Sequence, residues 1–413
     1  MTSRQQGRRA VVTGLGVVAP NGVGADAFWK ATRQGVSVLD RITREGCDGL
    51  PLRVAGQVRD FDPRAAIDSR YLVQTDRFTH YAMAAADLAV ADAGFHPDPE
   101  HPFAVGVVTA AGSGGGEFGQ RELQQLWGQG PQFVGPYQSI AWFYAASTGQ
   151  ISIRGGYKGP CGVVASDEAG GLDALAHAAR TIERGTDAVV AGAAEAPLAP
   201  YSMVCQLGYP EVSLAGQPDR AYLPFTAQAC GFAPAEGGAM LLLEDEQAAR
   251  QRGAAVRAHL AGHGSTFTGA SRWEESREGL AAAIRIALDE ARIAPEEIDV
   301  VFADALGVPA ADRAEALALA DALGPAAERV PVTAPKSGTG RAYCGAPLLD
   351  VAAAVLAMED GVLPPTPNVT EVSHDLALVT GRARPAELRT ALVLSRGLMG
   401  SNSALVLRCG DRP

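Results

Sequence analysis

Twice along this chain an apolar strand runs into a glycine-rich turn and a long helix, and the helix stops at a glycine before another strand. In the first copy Cys161–Ser166 reads as a strand and Asp167 to Gly171 as a tight turn. Leu172–Arg184 follows as an amphipathic helix closed by Gly185, and Asp187–Gly192 as the next strand. In the second copy Val330–Thr333 is the strand, Ser337 to Gly345 the turn, and Pro347–Glu359 the helix closed by Gly361. Strands at Thr390–Leu394 and Ser403–Leu407, joined through Gly397 and Gly400, complete it. A glycine just past a helix supplies the left-handed residue that ends it. Strands alternating with helices predict an α/β fold with a largely parallel sheet. An internal duplication of about 200 residues explains the 413-residue length better than two unrelated domains. We place the halves at 1–250 and 251–413.

The remaining elements fit this frame. Arg9–Val18 is the first strand, and a helix follows near Ala25–Gln34. From about Thr75 to Gly94, Phe78, Ala82, Ala85 and Leu88 recur at helical spacing and mark one buried face. Phe103–Ala110 and Met240–Leu243 read as buried strands, and Glu117–Gln129 as a helix. Glu244–Arg252 reads as a surface connector.

Composition removes several function classes. Apolar residues make up 47% and charged residues 20%, which is a globular balance. A net charge of −11 argues against nucleic acid or an anionic membrane as a partner held by bulk electrostatics. Cys47, Cys161, Cys205, Cys230, Cys344 and Cys409 are scattered with no C-x-x-C pair, so neither a metal site nor a disulfide framework is expected. The polar opening from Met1 to Arg9 has no apolar signal region, and no 18-residue apolar run follows. A cytoplasmic protein is expected.

Gly14-Leu15-Gly16 invites a dinucleotide-binding reading. That fingerprint requires a helix to start at once, so that its free N–H groups meet the pyrophosphate. Here the apolar run continues through Val17 and Val18 to Pro20, so no cofactor is assigned. The turn at Asp167-Glu168 is more specific. A strand–turn–helix elbow exposes one side chain at a helix N-terminus, a place suited to a nucleophile. This chain puts Glu168 there.

Gly159-Pro160 through Gly171-Leu172-Asp173-Ala174 resembles the active-site elbow of β-ketoacyl synthases of the thiolase fold. Val11 to Gly16, Pro224-Phe225, Lys336-Ser337 and Gly397 to Asn402 resemble further motifs of that family, in family order along the whole chain. The resemblance implies a duplicated α-β-α-β-α layered architecture. It also implies a cysteine at the elbow, where Glu168 stands. The family's first histidine opens a stretch matched by Asp304 to Pro309, with Asp312 and Glu315 in their expected places, so Asp304 replaces it. The second lies five residues after the lysine, at Arg341. Lys336 remains. Claisen condensation needs a thiolate to carry the acyl chain and donors to stabilise the enolate. Glu168 is a poor carrier, and an ionised Asp304 repels an enolate. Arg341 is expected to pair with Asp304 or Glu168.

A triply altered synthase with Gly-Arg-x-Tyr after Lys-Ser resembles the chain length factors of type II aromatic polyketide synthases. Many of these carry glutamine where Glu168 stands. The resemblance implies a heterodimer with an active ketosynthase α-subunit. It implies a tunnel at the interface for the growing polyketide chain, and contact with an acyl carrier protein mainly through the α-subunit. The gate positions it implies are Gly116, Gly119 and Leu123, whose small volume points to a long product. The alternative is an enzyme, a malonyl-carrier decarboxylase or an acyltransferase that supplies the primer.

Each residue also has a plainer reading. Glu168 is expected to be a solvated carboxylate near a helix N-terminus, and Cys161 a buried core thiol. Gly116 and Gly119 could serve close packing alone, and Lys336 is expected to hold loop carbonyls. Ala141-Trp142-Phe143-Tyr144-Ala145 reads as core, interface or both.

Overall fold

The computed structural model describes residues 7–269 and 272–410. The first six residues of the polar opening lie outside this range. Eleven strands form the spine of a twelve-stranded sheet among the described residues. They are β1 (Ala10–Ala19), β2 (Val105–Ala110), β3 (Cys161–Val164), β4 (Ala188–Glu195), β5 (Gly237–Asp245) and β6 (Ala258–Phe267). The second half adds β7 (Val300–Phe302), β8 (Pro331–Thr333), β9 (Ala377–Leu378), β10 (Thr390–Arg396) and β11 (Ser401–Cys409). Gly22–Val23 pairs off the spine on β1.

The order across the sheet is β9-β8-β7-β10-β11-β6-β1-β5-β4-β2-β3. Outward from its centre, β1-β5-β4-β2-β3 is mirrored by β6-β11-β10-β7-β8. Within the sheet the halves pair where Val11 and Val12 of β1 meet His259 and Ala258 of β6. The sheet is mixed, which corrects the largely parallel expectation. β2 runs parallel to β3 and β4, and β7 to β8 and β10. β5 and β11 return antiparallel beside β4 and β10. Long loops or a tight turn, rather than crossover helices, lead into these strands, so antiparallel pairing is open to them.

Period-two alternation builds five layers. Helices α3 (Gly170–Glu183) and α7 (Gly345–Asp360) form the middle layer, against inward residues such as Val108, Val189, Leu241, Val300, Val393 and Leu405. The opposite faces of the same strands, Val107, Val190 and Leu242, pack on α1 (Arg77–Asp92). Those of the second half, Val301, Leu392 and Val406, pack on α5 (Ser276–Ala291) and α6 (Pro309–Leu323). This is the thiolase-like α-β-α-β-α arrangement.

The Gly14-x-Gly16 pair has a packing cause. A Cβ added at Gly14 or Gly16 would lie 2.0 or 1.8 Å from the Ala89 or Ala85 carbonyl oxygen of α1. Gly262 and Gly264 on the equivalent strand β6 stand 2.2 and 2.0 Å from the Ala287 and Ala283 oxygens of α5 in the same sense. Each half thus uses two glycines to bring one helix onto its innermost strand.

Two sequence expectations are corrected here. Cys161 is exposed rather than buried, because β3 is an edge strand. Glu244 and Asp245 do not belong to a surface connector. They end β5 in buried positions, and Asp245 caps a short helix, Glu246–Gln251, by accepting from the Ala248 N–H. No helix among the described residues is long and apolar enough to cross a membrane.

Candidate functional site

The elbow forms as expected. β3 ends at Val164, and α3 begins at Gly170 after a turn that contains Glu168. The solvated reading of Glu168 is wrong. The residue is 3% exposed, and one carboxylate oxygen accepts the Leu398 N–H at 3.0 Å. Asp167 accepts the Met399 N–H at 3.1 Å. The two acids therefore hold the loop that joins β10 to β11. Burial pushes the Glu168 carboxyl up to about 7, with Arg341 and the Leu398 N–H working the other way.

Asp304 follows β7 and is fully buried. Its carboxylate meets Arg341 Nη1 at 2.8 Å, Arg396 Nε at 3.1 Å and the Arg396 N–H at 2.9 Å. Burial works to raise its pKa, but the Arg341 and Arg396 guanidiniums hold it below the usual carboxylate range. Arg396 reaches on to Glu315 at 2.9 Å, and Glu315 accepts the Asp304 and Ala305 N–H groups at 2.7 and 2.9 Å. Lys336 Nζ donates to the Ala303 and Asp304 carbonyls at 2.7 and 3.2 Å, as expected of it, and pairs with Asp350 at 2.5 Å. Asp312 accepts the Phe225 and Gly307 N–H groups, and burial pushes it to about 7. The result is a closed lattice of buried ion pairs.

Its chemistry follows from the bonding. Both Nη groups of Arg341 and all three guanidinium nitrogens of Arg396 are committed to protein acceptors, so they are not free to stabilise an enolate, while Arg341 Nε is buried without an acceptor among the described residues. Cys344 lies beside the elbow, but its thiol donates to the Asp167 carbonyl at 3.2 Å, and burial followed by Glu195 pushes it well above the usual thiol range. Such a thiol stays protonated and is a weak nucleophile.

A cavity of about 480 Å³ opens over the elbow. Gly116, at the start of α2 (Gly116–Gln129), lines it together with Glu168. Gly119 and Leu123 do not. A Cβ at Gly119 would find Gln138 and Trp142 at 3.8 Å, and Leu123 is 39% exposed. The sequence reading missed the rest of the lining, to which Tyr201, Ser202 and Cys205 of α4 (Pro200–Gln206) and Tyr209 contribute. It also missed Arg396 and Asp350. The only signal for either was a charge set in an apolar run, Arg396 at the end of β10 and Asp350 within Leu348 to Met358 of α7.

Comparison with known proteins agrees with this geometry. Residues 7–249 match the family Beta-ketoacyl synthase, N-terminal domain, and residues 257–370 its C-terminal domain. The chain is 73% identical over 407 residues to a polyketide beta-ketoacyl synthase 2 of Streptomyces coelicolor, covering 98% of this chain and 96% of the relative. It is 52% identical to the tetracenomycin polyketide synthase ketoacyl synthase beta subunit of Streptomyces glaucescens, covering 96% and 98%. Among solved structures it resembles the ishigamide ketosynthase/chain length factor, with a TM-score of 0.87, 28% identity, and coverage of 97% and 99%. It also resembles a chain of a type II acyl-carrier protein complex with its ketosynthase bound to the hexaketide, with a TM-score of 0.88, 29% identity, and coverage of 98% and 100%.

Proposed function

The chain belongs to the β-ketoacyl synthase family, and from that membership we propose that it is the chain length factor of a type II polyketide synthase. It pairs with an active ketosynthase α-subunit, completes the tunnel for the growing poly-β-ketone and limits its length. It does not catalyse condensation itself. One observation carries this reading. Asp304 and Arg341, which by the resemblance take the places of the two histidines as Glu168 takes that of the nucleophile, are locked together at 2.8 Å. A site closed by its own ion pairs has no thiolate at the elbow to carry an acyl chain.

The surface supports a partner. β3 is a strand with no neighbour on its outer side among the described residues, and unpaired strand edges are templates for pairing. Trp142, Phe143 and Tyr144 are exposed beside one another, and Ile153 is 67% exposed on a helix, Ala146–Gly155, that packs on β3. Contiguous apolar exposure of this kind marks an interaction surface. The reading divides the chain into halves at 1–250 and 251–413 and places its work in the cytoplasm. The acyl carrier protein is met mainly by the α-subunit. Gly116, Gly119 and Leu123 belong to the tunnel gate in this reading, Gly116 on the cavity and the other two further along α2. Their small volume favours a long product.

Co-expression with the α-subunit of the same gene cluster tests the assignment. A stable one-to-one complex by native mass, as one pair or a pair of pairs, is expected. A homodimer that ignores the α-subunit would overturn it.

A further inference from the structure

The sheet parts at the end of α3 far from Glu168. β1 begins at Ala10 and pairs with β6 only up to His259, so among the described residues no strand lies beside Leu260 to His263 on that side. A cavity of about 690 Å³ fills the opening. It is within the range of small-molecule sites. Its floor is β6, and its walls come from the C-terminal parts of α3 and α5. Its lining on α3, Ala176 to Glu183, lies roughly 10–20 Å along that helix from the elbow, and it shares no lining residue with the cavity described above.

Charge distinguishes this cleft. The chain carries a net charge of −11, yet Arg9, Arg180, Arg292 and Arg408 gather at the cavity against Glu183 and Glu290. Glu290 is committed, since it accepts the His263 N–H at 2.5 Å. His263 Nε2 is held at 3.0 Å by both Asp173 and Ser403. Arg408 leans toward Glu297 at 3.8 Å. The guanidiniums of Arg9, Arg180 and Arg292 have no hydrogen bond or ion pair among the described residues. Arginines near helix C-termini commonly satisfy the last carbonyls, but Arg180 and Arg292 donate to none. Three uncommitted planar forks, brought from three separate elements, fit an anion that carries charge in more than one place.

We propose that this cleft binds a small molecule bearing two or more phosphate groups, seated on β6 and clasped by Arg9, Arg180 and Arg292. Inorganic pyrophosphate supplies the charge alone, whereas ATP and coenzyme A add an organic body for the apolar floor. The proposal does not depend on the chain-length reading.

Isothermal titration of the intact protein, in complex with its partner where that is the form purified, tests it with pyrophosphate, ATP and coenzyme A at low salt. Saturable binding of one molecule per chain is expected for at least one of them, and none for pantetheine, which lacks phosphate. The double variant Arg180→Ala/Arg292→Ala should raise Kd at least tenfold with an unchanged melting midpoint in the absence of ligand. Arg277→Ala, an exposed arginine already paired with Asp321, should leave Kd unchanged. A preference for ATP or coenzyme A would name the source of the phosphate. Failure of all three to saturate, an unaltered Kd in the double variant, or an equal loss in Arg277→Ala would each overturn the proposal.

Discussion

Replacing Glu168 by glutamine should stabilise the protein above neutral pH and leave it nearly unchanged in acid. The carboxyl has its ordinary pKa near 4.5 in the unfolded chain and about 7 in the buried elbow. Between those values the folded state keeps a proton that the unfolded state has released. Stability therefore falls as pH rises through this window, and the full cost is present above pH 7. At 1.36 kcal/mol per pKa unit the cost is about 3 kcal/mol. Glutamine keeps a carbonyl oxygen to accept the Leu398 N–H and has no proton to lose. The Glu168→Gln variant should thus gain up to about 3 kcal/mol over wild type at pH 8, a few degrees of melting midpoint, and almost nothing at pH 4.5. Asp76, Asp312 and Asp350 are also pushed up by burial, to about 7, 7 and 6, so neither protein's own pH profile isolates the elbow. The difference between the two proteins does, because the other groups titrate alike in both. Midpoints measured side by side at pH 5, 6, 7 and 8 give that difference. If it stays flat across the range, Glu168 is not a buried, late-titrating carboxyl and the argument fails.

Three further outcomes are expected. Arg341→Ala should lower the melting midpoint sharply, by about 3 kcal/mol of stability, because it strips Asp304 of one of two buried partners; an unchanged midpoint would refute the lattice. In the co-expressed complex Gly116→Phe should shorten the polyketide seen by mass spectrometry, since its Cβ already comes within 2.1 Å of Ser202 Oγ and the ring must enter the cavity; an unshifted product refutes that gate position. Gly264→Ala, whose Cβ would lie 2.0 Å from the Ala283 oxygen, should cost about 1–3 kcal/mol in thermal or denaturant unfolding; a neutral effect would show that α5 does not rest on β6 as described.

Local pattern carried most of the architecture into the sequence. Apolar runs such as Val11-Val12 and Leu241-Leu242-Leu243, and glycines placed after long helices, located the strands and helices without knowledge of the sheet. The elbow was legible for the same reason, because strand, turn and helix are contiguous there. What escaped depends on neighbours distant in sequence. Cys161 sits in a genuine strand, but whether that strand is central or at the edge is set by sheet order. Glu168 looked solvated because its cover, Leu398, lies 230 residues away. Arg396 and Asp350 are each one charge within an apolar run, and their partners come from other elements. The Gly262-x-Gly264 pair passed unnoticed because no turn advertises it, although it repeats Gly14-x-Gly16 on the matching strand.

The middle layer has a consequence for recombination. Leu172 and Leu175 of α3 share one apolar cluster with Leu348 and Val355 of α7, while the strand pairing between the halves spans two residue pairs. Strand pairing thus does little to hold the halves in register, and loop bonds such as the Arg341 N–H to the Ala233 carbonyl, together with the fit of side chains across the middle, do the rest. A chimera that joined the first half of one relative to the second half of another would keep every strand and turn, yet bring together two apolar surfaces selected against different counterparts. Crossovers that carry α3 and α7 together should be tolerated, whereas a crossover in the short connection after Gln251 should give loosely packed, aggregation-prone hybrids.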